Sequence, residues 1–120
     1  MEEIKRIKNA FGEYGRIKYE LNRYNRADTV NMSPNEMNTF AHIATSAYLV
    51  SRGYPEATVE NLGNLKEIYD TVRKLSTSDS WLDQINNHTG REVGKRLRYK
   101  SQKEIFDYIF KNFIEPKRKK

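Results

Sequence analysis

The sequence has no cysteine, which excludes disulfides, thiolate metal sites and cysteine nucleophiles and leaves the redox compartment open. No apolar run approaches the roughly 20 residues of a membrane-spanning helix. No stretch of useful length alternates apolar and polar residues as a half-buried strand would, and there is no internal repeat or low-complexity segment. The opening Met-Glu-Glu-Ile-Lys-Arg-Ile-Lys is too charged for a signal peptide. The chain is therefore read as cytoplasmic when synthesised, with secretion requiring a route other than a classical signal peptide.

The 120 residues suit one domain. With 37% apolar and 32% charged residues, the core must be thin and built from narrow apolar stripes. Eight tyrosines stand against one tryptophan, and tyrosines half-bury readily. The net charge of +6 is unevenly placed. Residues 31–90 carry four basic and seven acidic groups, whereas residues 91–120 carry eleven basic and four acidic. A basic C-terminal quarter suits a polyanion or an acidic partner, although such runs are commonly just a solvated face.

The periodicity predicts an all-α bundle of about five helices. Ile4, Ile7, Phe11, Tyr14, Ile17, Leu21 and Tyr24 recur at helical spacing over residues 2–25, giving a long amphipathic first helix. Its stripe is either core or a seam for a partner or a second copy, and Gly12 and Gly15 offer close approach to a neighbouring helix. Ser33-Pro34-Asn35-Glu36 is a capping box that starts a helix to about Arg52, stopped by Gly53. Tyr54-Pro55 opens a third helix to about residue 75, and Ser76–Ser80 reads as a loop. A fourth helix begins near Ser80 with Trp81, Leu82, Ile85, Val93 and Leu97 inward. It is either continuous or broken by a turn at Asn86-Asn87-His88-Thr89-Gly90. Ser101-Gln102-Lys103-Glu104 repeats the capping box, and the last helix runs to about Ile114 before Pro116 stops it. Residues 1–114 are the domain on this reading, and 115–120 are a basic tail ending Lys117–Lys120.

Chemistry concentrates between Trp81 and Gly94. On a helix Asp83, Asn87 and Arg91 fall four apart on one face, with Asn86 beside them. Gly90 and Gly94 remove bulk from the same strip, leaving a groove for a ligand or for another helix. Asn38 and His42 share a face of the second helix in the same way, and Glu60 and Glu67 lie two turns apart in the third. An antiparallel bundle would bring His42, Glu67, Asp83 and an asparagine together. Such a set serves general acid/base chemistry, or offers a hard metal oxygen ligands and one imidazole. No cofactor is named by the sequence. The bland readings are a partly buried histidine, a helix end at Asn-Asn and an Asp83–Arg91 ion pair.

The segment Leu82-Asp83-Gln84-Ile85-Asn86-Asn87-His88-Thr89-Gly90-Arg91 resembles a Met-Asp-x-x-Asn-Asn-x-x-Gly-Arg motif. That motif marks an uncharacterised bacterial all-helical domain family found in secreted and polymorphic-toxin-like proteins. The family's upstream Asp-Ala-Phe-Arg-His corresponds to Asn38-Thr39-Phe40-Ala41-His42, and its Ala-His-Glu to Leu65-Lys66-Glu67. The resemblance spans about residues 36–97. It implies a small toxin- or effector-like domain, a hydrolase acting on a cell-envelope component. His42, Glu67, Asp83 and Asn87 would be catalytic, and Asn38, Asn86 and Arg91 substrate-binding. The chain departs from the pattern at Asn38, Ala41 and Lys66, so a diverged, inactive member is the companion reading. The alternative is a basic helical binding module for nucleic acid or a protein partner. In it Lys95, Arg96, Arg98, Lys100 and the tail contact phosphates of a nucleic acid, and Tyr99 stacks on a base.

Overall fold

Two capping boxes set the start of two helices. Ser33 Oγ accepts from the Glu36 N–H at 3.2 Å while Glu36 accepts from the Ser33 N–H at 2.9 Å. Ser101 and Glu104 make the same pair of bonds at 3.1 and 3.2 Å. The structure, a computed structural model, describes residues 2–27, 30–61 and 80–118; for residues 2–4, 6, 7, 11, 14, 18, 27 and 80–84 it describes the backbone alone. Helix α1 is Glu2–Ala27, α2 is Pro34–Ser51, α3 is described over 56–61, α4 is Ser80–Arg96 and α5 is Gln102–Ile109. A π-helical turn, Phe110–Ile114, leads into α6, Glu115–Arg118. No strand occurs among the described residues, and none of their helices is long and apolar enough to cross a membrane. The architecture is the expected all-α bundle. The remainder of the third helix, the loop expected over 76–79 and the inward faces of Ile4, Ile7, Phe11, Tyr14, Trp81 and Leu82 lie outside the described residues.

Helix α2 is the centre of the bundle. Ten of its eighteen residues are buried, on more than one face, as befits a helix surrounded by others. Ile17, Leu21 and Tyr24 of α1, Val93 of α4 and Ile105, Phe106 and Ile109 of α5 pack with its Phe40, Ile43, Ala44 and Ala47. Tyr24, Phe40 and Phe106 form a ring trio with centroids 5.4–5.7 Å apart, and the Tyr24 hydroxyl donates to Asp107 Oδ1 at 2.8 Å. Buried hydroxyls turn back onto the helix itself: Thr45 donates to the Ala41 carbonyl and Ser51 to that of Tyr48. Gly53, at φ +95°, ends α2. Its N–H bonds Val50 O and the Tyr54 N–H bonds Leu49 O, the paired bonds that close a helix through a left-handed residue.

Several expectations are corrected. Gly12 and Gly15 meet no neighbouring helix: among the described residues, nothing lies within 4 Å of a Cβ at either position. Gly12→Ala and Gly15→Ala are each expected to stabilise the protein by about 0.5–1 kcal/mol, read from urea unfolding. Ile85 is not inward but 49% exposed, because it sits about 100° around α4 from the buried Asn86.

Pro116 does not end the chain's helical course. The π-helical turn precedes it, with the Glu115 N–H reaching Phe110 O, where an α-helix would press the Asn112 carbonyl against the proline ring. The basic tail is correspondingly not all free. Arg118 donates to both Glu36 oxygens at 2.8 and 2.9 Å and to the Val30 carbonyl at 2.9 Å, and its guanidinium lies 5.1 Å from the Phe110 ring centroid. This bidentate bond, with the Ser33 N–H, holds the Glu36 carboxyl at about 2, well below its ordinary 4.5. The depressed value means the contact's stabilisation is complete above pH 4.5 and fades as pH falls toward 2. Wild-type stability should therefore fall more steeply between those limits than that of Glu36→Gln, measured by urea unfolding across the pH series.

Candidate functional site

Helices α2 and α4 run parallel and touch along one seam. Asn87 meets His42, Gly90 meets Ile43 and Ser46, Gly94 meets Ala47 and Val50, and the Tyr99 N–H bonds Ser51 O beyond the helix end. The ascending order on both helices fixes their direction. The contact is made at backbone level. A Cβ on Gly90 would stand 2.4 Å from Ile43 O, and one on Gly94 would stand 2.5 Å from Ala47 O. The small-residue strip read as a groove is thus filled by α2, the second of its two expected occupants. This contact also explains why α4 is unbroken through Asn86–Gly90: backbone packing at Gly90 offsets the helix-propensity cost of glycine.

At the N-terminal end of the seam the side chains become polar. His42, 8% exposed, places Nδ1 3.1 Å from Asn87 Oδ1. Which of the two groups donates is set by the ring tautomer: if the amide oxygen is the acceptor, the ring proton is on Nδ1. Asn86, also 8% exposed, has no hydrogen-bond partner for its amide among the described residues. A buried amide without a partner carries a desolvation cost of about 1–3 kcal/mol, the state expected of a group held ready for a ligand or water. Ser46, 6% exposed, lies one turn along α2 from His42 and against Gly90.

The flank of the seam is electrostatic. Arg91, with its side chain 12% exposed, lies one turn beyond Asn87 and reaches Glu60 Oε2 at 3.8 Å. Lys95 lies a turn further and pairs with Glu56 at 3.4 Å and Glu92 at 3.1 Å. The first turn of α3 is thereby tied to α4 by two cross-helix pairs.

Of the seven residues named from the sequence, His42 and Asn87 are in contact, Asn86 adjoins Asn87 in the buried face, and Arg91 continues the flank. Asn38 is exposed one turn before His42. Asp83 lies in α4 one turn before Asn87 by its backbone, and its side chain is outside the described residues, as is Glu67 altogether. The helices that join His42 to Asn87 are parallel, not antiparallel as the bundle was expected to be there. Ser46 enters the site's surroundings without having been singled out, its only signal being helical phase, four residues after His42. Glu60, named with Glu67 on the third helix, enters as the partner of Arg91. Compared with protein-family models, with curated proteins and with solved structures, the chain matches none.

Proposed function

We propose that the chain is a small bacterial effector-like domain whose site lies where α2 and α4 meet, and that it hydrolyses a cell-envelope component. The observation that carries the reading is the 3.1 Å contact between His42 Nδ1 and Asn87 Oδ1. Those two residues come from two separate stretches of the motif pattern, 45 positions apart, and neither needs the other for local helix formation.

The chemistry follows from the tautomer. Asn87 holds the ring with its proton on Nδ1, so Nε2 takes a proton from water as the water oxygen adds to a carbonyl carbon. The amide N–H of Asn86 donates to the oxyanion that forms, and His42 returns the proton to the leaving group as the bond to it breaks. Arg91 adds positive charge beside the path, moderated by Glu60. Glu67 and Asp83 belong to the proposal through the motif alone, as orienting groups for the base. Loss of the family's acid at Asn38 and histidine at Lys66 makes the inactive, diverged member the reading to be beaten.

Expression in a bacterial host tests it, with wild type, His42→Gln and Asn87→Leu each directed to cytoplasm and to periplasm. The reading expects growth inhibition by the wild type in the periplasm, and its loss in both variants while their helical circular dichroism is kept. No inhibition by the wild type in either compartment, or undiminished inhibition by folded His42→Gln, overturns it.

A further inference from the structure

The excess positive charge of the C-terminal quarter is sorted by the fold. Lys95 is taken up by Glu56 and Glu92, and Arg118 by Glu36. Arg96, Arg98 and Lys100 are exposed, and none has a carboxylate within ion-pair distance among the described residues. They bracket the turn that joins α4 to α5. Glu104 is the carboxylate that feels Lys100, and it is already bound to the Ser101 N–H, which with the Ser101 hydroxyl holds its pKa below the ordinary value.

In the middle of this turn stands Tyr99. It is 75% exposed and has φ +62°, a left-handed conformation unfavourable to a bulky residue. Its N–H is fixed to Ser51 O at 3.0 Å, so the strained residue is held against the end of α2. Arg52 sits at that same end, its guanidinium 4.6 Å from the Tyr48 ring centroid. Arg16 lies over the same ring at 5.1 Å, pairs with Glu13 at 3.1 Å and donates to Gln102 Oε1 at the start of α5. The end of α2 and the α4–α5 turn thus bring cations with no ion-pair partner among the described residues to one corner, where the fold exposes the Tyr99 ring.

We propose that this corner, Arg52, Arg98, Tyr99 and Lys100 with Arg96 adjoining, binds single-stranded nucleic acid. The cations track the phosphates and Tyr99 stacks on a base. Backbone strain held in place at an exposed aromatic is a mark of a binding position, since a structural turn would place glycine or asparagine there. The inference is independent of the hydrolytic reading at His42.

The test is fluorescence anisotropy of the full chain with labelled dT20, rU20 and a 20-base-pair duplex. Three phosphate contacts to a single strand give a log–log salt slope of about −2, or roughly a twentyfold loss of affinity from 50 to 200 mM salt. Removing two contacts in Arg98→Ala/Lys100→Ala should reduce that loss to about threefold. Tyr99→Asn, which suits the left-handed turn and removes the ring, should weaken binding about tenfold at every salt concentration, and Tyr99→Phe should restore it. Lys111→Ala/Lys117→Ala removes as much charge elsewhere and should leave most of the binding intact. Preference for rU20 or for dT20 identifies the strand and supports the inference either way. It is overturned by no binding at 50 mM salt, by tighter binding of the duplex, by full affinity in Tyr99→Asn, or by equal damage from the Lys111/Lys117 pair.

Discussion

Gly90→Ala is expected to lower the unfolding free energy by about 2 kcal/mol and the melting temperature by about 8 °C. On an isolated helix the same change would stabilise by about 1 kcal/mol. The sign reverses because the new Cβ would stand 2.4 Å from Ile43 O and 2.8 Å from Ser46 Cβ. A carbon against a carbonyl oxygen wants roughly 3.3–3.6 Å, so α2 and α4 must part by about 1 Å. The obstacle is α2 backbone, which cannot rotate away as a side chain could. Gly94→Ala should act alike, through Ala47 O at 2.5 Å. Urea unfolding compared with Gly12→Ala, the same chemical change on an open face, isolates the seam. Stabilisation by Gly90→Ala would mean that the two backbones are not in contact.

Phe40→Ala should be the more damaging change, at about 3–5 kcal/mol. Phe40 is fully buried and touches both other rings of the core trio, Tyr24 from α1 and Phe106 from α5. Truncation leaves a cavity where three helices meet and removes two aromatic contacts of about 0.5–1.5 kcal/mol each. Domains of this kind are stable by only about 5–15 kcal/mol, so the variant should be near its unfolding threshold at physiological temperature. The measurement is the urea midpoint together with near-ultraviolet circular dichroism of the tyrosines. A loss under about 1 kcal/mol would place the core elsewhere. Phe40 stands two residues from His42 in the Asn38–His42 stretch. The stretch therefore supplies the core with one side chain and the polar end of the seam with another.

Local chemistry was the legible part of this chain. Both capping boxes, the proline at the start of α2 and the glycine after it act within a few residues, so their spacing in the sequence is their spacing in space. The apolar period placed Ile17, Leu21, Tyr24 and Val93 in the core for the same reason. Distance along the chain hid the rest. Arg118 and Glu36 are 82 positions apart, and nothing local marks the arginine as anchored rather than free. Pro116 reads as a stop because an α-helix cannot hold it, and a π-helical turn ahead of it is not encoded in any short pattern. The hydrophobicity of Ile85 points it to the core, but the face of α4 that meets α2 is set by Asn86, Gly90 and Val93. At the candidate site, His42 and Asn87 were each identifiable by residue type and phase, whereas the parallel packing that joins them depends on how the chain returns between α2 and α4.

The state of the His42 ring bears most directly on the site. A long-range proton–nitrogen spectrum of uniformly labelled protein, recorded with the ring neutral, distinguishes its two tautomers. The expected result is a proton on Nδ1, donated to Asn87 Oδ1, with Nε2 as the basic nitrogen, and a shift toward the Nε2-protonated form in Asn87→Leu. A proton on Nε2 in the wild type would mean that the Asn87 amide donates to Nδ1 instead, and it would contradict the assignment of His42 as the base.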